Sequence, residues 1–498
     1  MLPGIAHTVR STAMTHSLYA GVGQREITRT ASGRNVRDPL YAKVIVFDDG
    51  ATRLALITMD VVAIGGICDI SDDFLPTLRQ RLEEKEIGIL PGRVIVNASH
   101  THPPGRIVCD EDELVARVVA AVCDAVGSLI PVTVGTGSTR APGLSMNRNL
   151  RLADGRLWTI RHTNPSPTEE AIEGLRPNDP EVGILRVNRN DGTPLAILYH
   201  FACHLLFGNP QGDITANFAG IASGLIEEVA GREVTAFFLQ GCAGDIIDTT
   251  FKDLRRWRDI EPLGQRLGLA VLRELPRITA GPGPLRHVTR TVELPRRTDF
   301  APRTRALEAE QRELLASLRF TTLNFESFLP LYLQHRLNPR HPSADAYSYL
   351  NAEAEGSDLP RAMDRFTGEL VNSYLKNLRT MERLTHLQDD LATIARHEAI
   401  NREAGGNTAS AELHALQIGD FVLLTAPIEI LSEVGQNIKK RSPHPHTFVS
   451  GFTNGYLHYG PPASDYPSGS YEVTECFLAP EWQAIFETEA AGMLRKLG

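Results

Sequence analysis

RLALITMDVVAIGGICDISDDFLPTLRQRLEEKEIGILPGRVIVNASH, residues 53–100, sets two buried-strand runs on either side of one amphipathic helix. RLALITMDVVAI (53–64) is rich in Ile, Val and Leu and short enough for a strand. DDFLPTLRQRLEEKEIG (72–88) spaces its apolar residues on a helical face and closes at Gly88. RVIVNASH (93–100) reads as a second buried strand. Upstream, AKVIVFDD (42–49) is a further strand, joined to the first by the turn signal DDGAT (48–52). Downstream, DELVARVVAAVCDAVGSL (112–129) is a helix. Alternation of strands and helices predicts an α/β fold, a layered mixed β-sheet core flanked by helices.

The same alternation continues through the strands EVGILRVNR (181–189), PLAILYHFACH (194–204) and EVTAFFLQGCAG (233–244), with the helix NFAGIASGLIEEVAG (217–231) between the last two. From about 300 to 405 the chain turns to polar helical sequence, such as RTRALEAEQRELLASLR (303–319), which predicts a helical insertion or cap. Strand-like sequence returns in LHALQIGDFVLLTAPIEI (413–430) and TFVSGFTNGY (447–456), before the closing helix PEWQAIFETEAAGMLRKLG (480–498). The expected organisation is a leader over residues 1–18 and one domain over 19–498.

Composition narrows the function classes. Of 498 residues, 42% are hydrophobic and 22% charged, as in ordinary globular proteins. A net charge of −9 offers no field to attract nucleic acid or anionic lipid, so nucleic-acid binding is not expected. Six scattered cysteines without a CxxC pair read as reduced, buried thiols. Neither a secretory h-region nor a membrane-length apolar run occurs, and a cytoplasmic location is expected.

Candidate chemistry gathers where strands end. NASHTHPPG (97–105) places His100 and His102 two residues apart, on one face if the segment is extended. LYHFACHLLFG (198–208) brings His200 and His204 to the end of an apolar run, where each is either a ligand or a hydrogen-bonded core residue. FLQGCAGDIIDTT (238–250) ends in small residues and Asp245, which serves a site or caps a turn. Asp60, in ALITMDVV, is a candidate to orient a metal-bound histidine.

With these segments in order, the chain resembles the neutral, non-lysosomal ceramidases, specifically their N-terminal catalytic domain. The matching segments are SHTHPPG (His100, His102), the pair Asn147–Arg148, FACH (His204), APIE (Glu429), NGYLHY (Asn454, Tyr456, Tyr459) and the pair Tyr471–Glu472. The resemblance implies Zn2+ held by His100, His204, Glu429 and Tyr459, with His102, Arg148 and Tyr471 around the reacting group, to which the residue reading adds Asp245. It departs from the family in GDIIDT (244–249), where Ile247 stands in place of a serine, and the family's immunoglobulin-like C-terminal domain is not expected.

The function expected on this basis is zinc-dependent hydrolysis of an amide bond by metal-activated water. The substrate would be a small or amphiphilic molecule, N-acylated or lipid-like. His102 or Asp245 would move the proton, and Arg148 and Tyr471 would steady the oxyanion, with Asp248 as a second candidate base. A zinc esterase or lactonase and a non-catalytic zinc-stabilised binding protein are the alternatives. The oligomeric state is left open.

Overall fold

The computed structural model describes residues 17–29, 33–67, 69–103, 105–160, 167, 169–206, 212–231, 233–249 and 259–498. The expected leader lies outside these residues except for its last two. By internal contacts the chain divides into two compact units. One holds residues 1–160, 172–296 and 406–498, and the other holds 161–171 and 297–405.

In the first unit, β1 (Tyr19–Glu26), β2 (Tyr41–Asp48) and β3 (Arg53–Met59) make an antiparallel meander. α1 (Phe74–Glu83) then leads to β4 (Val94–Ala98), parallel to β3. The 53–64 run thus stops as a strand at Met59, and the 93–100 run at Ala98, so both expected strands lose their last residues to loops. α2 (Glu111–Gly127) crosses to β5 (Ile130–Arg140), which pairs with β1. The short strands β6 (Ser145–Asn147), β7 (Asn149–Leu152), β8 (Leu157–Thr159) and β9 (Ile172–Leu175) follow. Next come β10 (Glu181–Arg189), β11 (Pro194–Phe201), α3 (Asn217–Ala230), β12 (Thr235–Gln240), β13 (Ile246–Asp248) and α4 (Glu261–Glu274). The main sheet has eight strands in the order β12-β11-β10-β5-β1-β2-β3-β4, parallel at both edges and antiparallel between.

β14 (Leu285–Pro295) precedes the second unit, a helical arm of α5 (Phe300–Ser317), α6 (Phe325–Leu337), α7 (Ala346–Ala354) and α8 (Leu359–Glu403). Within the arm, α5, α6 and α7 each pack on α8, with Phe328 stacked on Tyr374 at 4.5 Å. The chain returns to the first unit as β15 (Thr408–Ile418), β16 (Phe421–Thr425), β17 (Glu429–Ile430), α9 (Ser432–Arg441), β18 (Thr447–Ser450) and β19 (Tyr459–Gly460). It ends in α10 (Tyr471–Thr474) and α11 (Trp482–Arg495). β14, β15, β16 and β18 form a second, four-stranded sheet, which the single expected core had not separated from the first.

The two sheets face one another. Ile45, Phe47, Leu56, Leu198 and Phe237 of the first meet Leu416, Phe421, Leu423 and Phe448 of the second in one cluster. Alternate residues point the other way. Val44, Val46 and Ile57 pack under α1 and α2, Ile197, Tyr199 and Phe238 under α3 and α4, and Leu413, Val422 and Leu424 under α9 and α11. The first unit is therefore helix, sheet, sheet, helix in layers. Strands covered on both faces read as continuous apolar runs rather than alternating ones, which is why β3, β4 and β12 were legible. Each fully buried Phe or Leu here contributes roughly 1.5–3 kcal/mol. Close approach is paid for in glycine: a Cβ on Gly21 of β1 would lie 2.0 Å from the Ala125 carbonyl of α2.

Candidate active site

The carboxyl ends of β4, β11 and β12 deliver the site loops, the usual place for chemistry in α/β sheets. β12 and β4 lie at opposite edges of the eight-stranded order, yet the Gln240 backbone N–H donates to Asn97 Oδ1 at 3.0 Å. The Gln240 side chain, fully buried, ties the two histidine loops together. Its Nε2 donates to the carbonyls of Ser99 (2.9 Å) and Cys203 (2.8 Å), while Oε1 accepts from the Cys203 and Gly241 N–H groups. Asn97 Nδ2 in turn donates to Gly451 O and Thr453 Oγ1, anchoring the loop that follows β18.

His100 and His102 do converge, with their Nε2 atoms 2.9 Å apart, but not for the expected reason. The strand has already ended, and His100 holds φ +64°, a left-handed backbone rare for a residue with a side chain. Among the described residues, Phe452, Asn454 and His458 also have positive φ, so the backbone is bent beside the site in several places. Phe452 packs against the His100 ring at 4.0 Å between centroids.

His100, His102 and His204 bring one ring nitrogen each within 4.8 Å of the others. Glu429 joins them: its Oε1 lies 2.8 Å from His204 Nε2 and 3.5 Å from His100 Nε2. The tautomers follow from the backbone. His100 Nδ1 is 2.7 Å from the Val62 carbonyl, and His204 Nδ1 is 2.6 Å from that of Ala243. A carbonyl only accepts, so each Nδ1 carries the proton and each Nε2 presents a lone pair. Burial pushes the His204 imidazole down to about 4, keeping it neutral near pH 7. Burial and the neighbouring rings also hold His102 well below an ordinary histidine.

Glu429 Oε1 thus faces the Nε2 atoms of His100, which His102 also approaches, and of His204, and it is buried without a hydrogen-bond donor. Three acceptors aimed at one point are stable only around a cation. Two imidazoles and a carboxylate suit Zn2+ in donor type. On the far side of the carboxylate, Tyr456 donates its hydroxyl to Glu429 Oε2 at 2.6 Å and fixes its orientation.

Glu429 and Tyr459 are register partners on the parallel pair β17 and β19. The Tyr459 hydroxyl accepts from Arg148 Nη2 at 3.2 Å. Arg148 is almost fully buried. Its Nε donates to Glu472 Oε1 at 2.8 Å, and Nη2 also donates to the Gly244 carbonyl at 2.7 Å. The guanidinium sits 5.5 Å from the Tyr459 ring centre and 5.3 Å from that of Tyr471, and the two rings meet edge to face at 5.6 Å. Burial opposes its charge, but Tyr459 and Glu472 hold the guanidinium firmly protonated.

Asp245 is placed differently from a free base. Its Oδ2 accepts from Asn147 Nδ2 at 2.6 Å and its Oδ1 from the Ser432 N–H at the start of α9. Burial raises its carboxyl to about 7. The expectation that Asp60 orients a metal-binding histidine is corrected: backbone carbonyls do that work. Asp60 instead accepts from the Tyr41 N–H and lines a separate cavity with Lys43 and Glu227. His200 is a core residue whose Nε2 meets the Val449 carbonyl at 2.9 Å. The His458 ring lies against Tyr456 and Phe477. Ile247 is fully buried in β13, paired with Met146, and Asp248 is nearly buried beside it.

Residue-by-residue reading passed over Gln240 and gave Tyr456 and Glu472 no role of their own. A glutamine at the end of the apolar run TAFFLQ was the available signal for the first. Glu472 and Tyr456 act through partners more than 300 and about 30 residues away, respectively, which local sequence does not display.

No protein-family model matches the chain, and no curated protein matches it in sequence. Solved structures do match in fold. The neutral ceramidase from Pseudomonas aeruginosa superposes with a TM-score of 0.61 at 17% identity, covering 97% of this chain and 74% of that one. A ceramidase complexed with C2 gives a TM-score of 0.61 at 15% identity, covering 97% and 75%. The chain has a ceramidase-like fold.

Proposed function

We propose that this chain is a zinc-dependent hydrolase of an amide C–N bond in a small or amphiphilic N-acyl substrate. Zn2+ would be held by His100, His204, Glu429 and Tyr459. The observation that carries the reading is the meeting of the His100 and His204 Nε2 atoms with one undonated carboxylate oxygen, all buried. The fold shared with solved ceramidases supports the amide as the bond cleaved.

When bound, Zn2+ would polarise the scissile carbonyl and bring the pKa of water to about 7. The protein's own groups divide the remaining work. His102, neutral and beside His100, accepts a proton from the attacking water and returns it to the leaving nitrogen. Arg148, held rigid by Glu472 and the Gly244 carbonyl, presents permanent positive charge to an oxyanion, with the Tyr471 phenol against it. Asp245 acts by position, its carboxylate fixing Asn147 and the start of α9 while its backbone carbonyl accepts from the Arg148 N–H. No step needs a hydroxyl at Ile247.

The test is a panel of N-acyl amides, matched esters and lactones, run with metal-depleted and zinc-restored protein. Amide cleavage that returns with zinc and is lost in His102→Ala supports the proposal. Turnover of esters or lactones alone moves the reading to an esterase. No turnover in a protein that nevertheless takes up zinc makes the site structural.

A further inference from the structure

The segment FESFLPLYL (325–333) takes no part in the chemistry of the site, and six of its nine residues are exposed. Phe328 alone is buried, against Tyr374 of α8, while Phe325, Leu329, Leu333 and Leu337 are 60%, 39%, 45% and 82% exposed. Residues four apart lie along one face of a helix, so these four make a continuous apolar stripe on α6. In the first turns of α8, Leu359, Met363 and Phe366 repeat the pattern and are equally uncovered. Thirteen of the nineteen exposed large hydrophobic residues among those described fall within the arm. The four stripe residues of α6 alone expose on the order of 300 Å² of apolar surface, at the size of the usual largest patch of a monomer.

What covers this face is written in α6 itself. Its exposed stripe is symmetric about Leu331: Phe325 mirrors Leu337, Leu329 mirrors Leu333, and Glu326 mirrors Arg336. Two antiparallel copies of the helix, related by a twofold axis, would set Leu329 against Leu333, Phe325 against Leu337 and each Glu326 against the other copy's Arg336. Both charges are exposed and neither is held in an ion pair among the described residues. A membrane surface is the poorer occupant. Residues 318–381 carry seven Lys/Arg against seven Asp/Glu, without the basic excess that draws helices to lipid. We propose that the chain forms a homodimer through the helical arm, with α6 packed antiparallel on α6 of a second copy.

Analytical ultracentrifugation of the full chain tests this without reference to activity. The expected species has twice the 54.7 kDa chain mass at micromolar concentration. Leu329→Glu with Leu333→Glu is expected to raise the dimer dissociation constant more than about 100-fold, leaving far-ultraviolet circular dichroism unchanged. Glu326→Arg alone should weaken the dimer by about tenfold, and adding Arg336→Glu should restore it. That rescue is a signature a merely folded arm would not give. A single-chain mass at tens of micromolar overturns the proposal, as does a dimer that the leucine variants leave intact. A monomer that sediments with phosphatidylcholine–phosphatidylserine vesicles also overturns it, in favour of a lipid-facing arm.

Discussion

Tyr456→Phe removes one oxygen and isolates the part of the site that sets metal affinity. The Tyr456 hydroxyl donates to Glu429 Oε2 at 2.6 Å in a buried setting, while the other carboxylate oxygen faces His100 and His204. A hydrogen bond to a charged group is worth about 1.5–3 kcal/mol, and loss of such an outer partner typically costs about 10–100-fold in metal affinity. The ring stays, so packing against His458 is kept and no large cavity opens. Apoprotein titrated with Zn2+ against a competing chelator should show a dissociation constant raised about 10–100-fold, with unchanged circular dichroism. A constant within about threefold of wild type would refute the reasoning, since 0.7 kcal/mol or less is too little for a buried charge-assisted bond. Glu429 would then not be oriented by Tyr456 when the metal is bound.

Gln240→Leu keeps the side-chain volume but strips the amide that joins the two histidine loops, leaving the Ser99 and Cys203 carbonyls buried without their donor. On the order of 3–5 kcal/mol of stability should be lost, read as a lower urea midpoint together with weaker zinc binding. Arg148→Ala should cut turnover of any amide substrate found by about 10²–10³-fold, because a preformed positive charge is lost from the oxyanion, and normal turnover would remove that role. Asp60, raised to about 7 by burial despite Lys43 nearby and with Asp38 and Glu227 reinforcing the rise, folds more readily protonated than ionised. Its contribution is therefore full below about pH 4 and lost as pH climbs through about 7, so Asp60→Asn should gain stability over wild type at pH 8 but not at pH 4. An equal difference at both pH values would show that ionisation is not the cause.

The sequence exposed the parts of this molecule whose physics is local. β4, β11 and β12 are covered on both faces, so their runs are apolar throughout and end abruptly at His100, His204 and Gly241. The second sheet was not separable, because LRHVTRTVELP, its edge strand β14, mixes exposed charge with a few buried positions. His100 and His102 were paired by an extended-strand argument, whereas the structure joins them through a left-handed turn at His100. Glu429 and Tyr459 lie on two-residue strands more than 200 residues beyond His204, and only the resemblance pointed to them. What fixes the tautomers, the carbonyls of Val62 and Ala243, has no side-chain signature at all.

The proposed chemistry turns on a zinc ion held where His100, His204 and Glu429 converge beside Tyr459. Metal content by mass spectrometry, on protein purified without added metal, tests it most directly. About one zinc per chain in the wild type, lost in His204→Ala and weakened in Tyr459→Phe, is the predicted result. A folded wild-type protein that carries no zinc and takes none up when it is supplied would contradict the account.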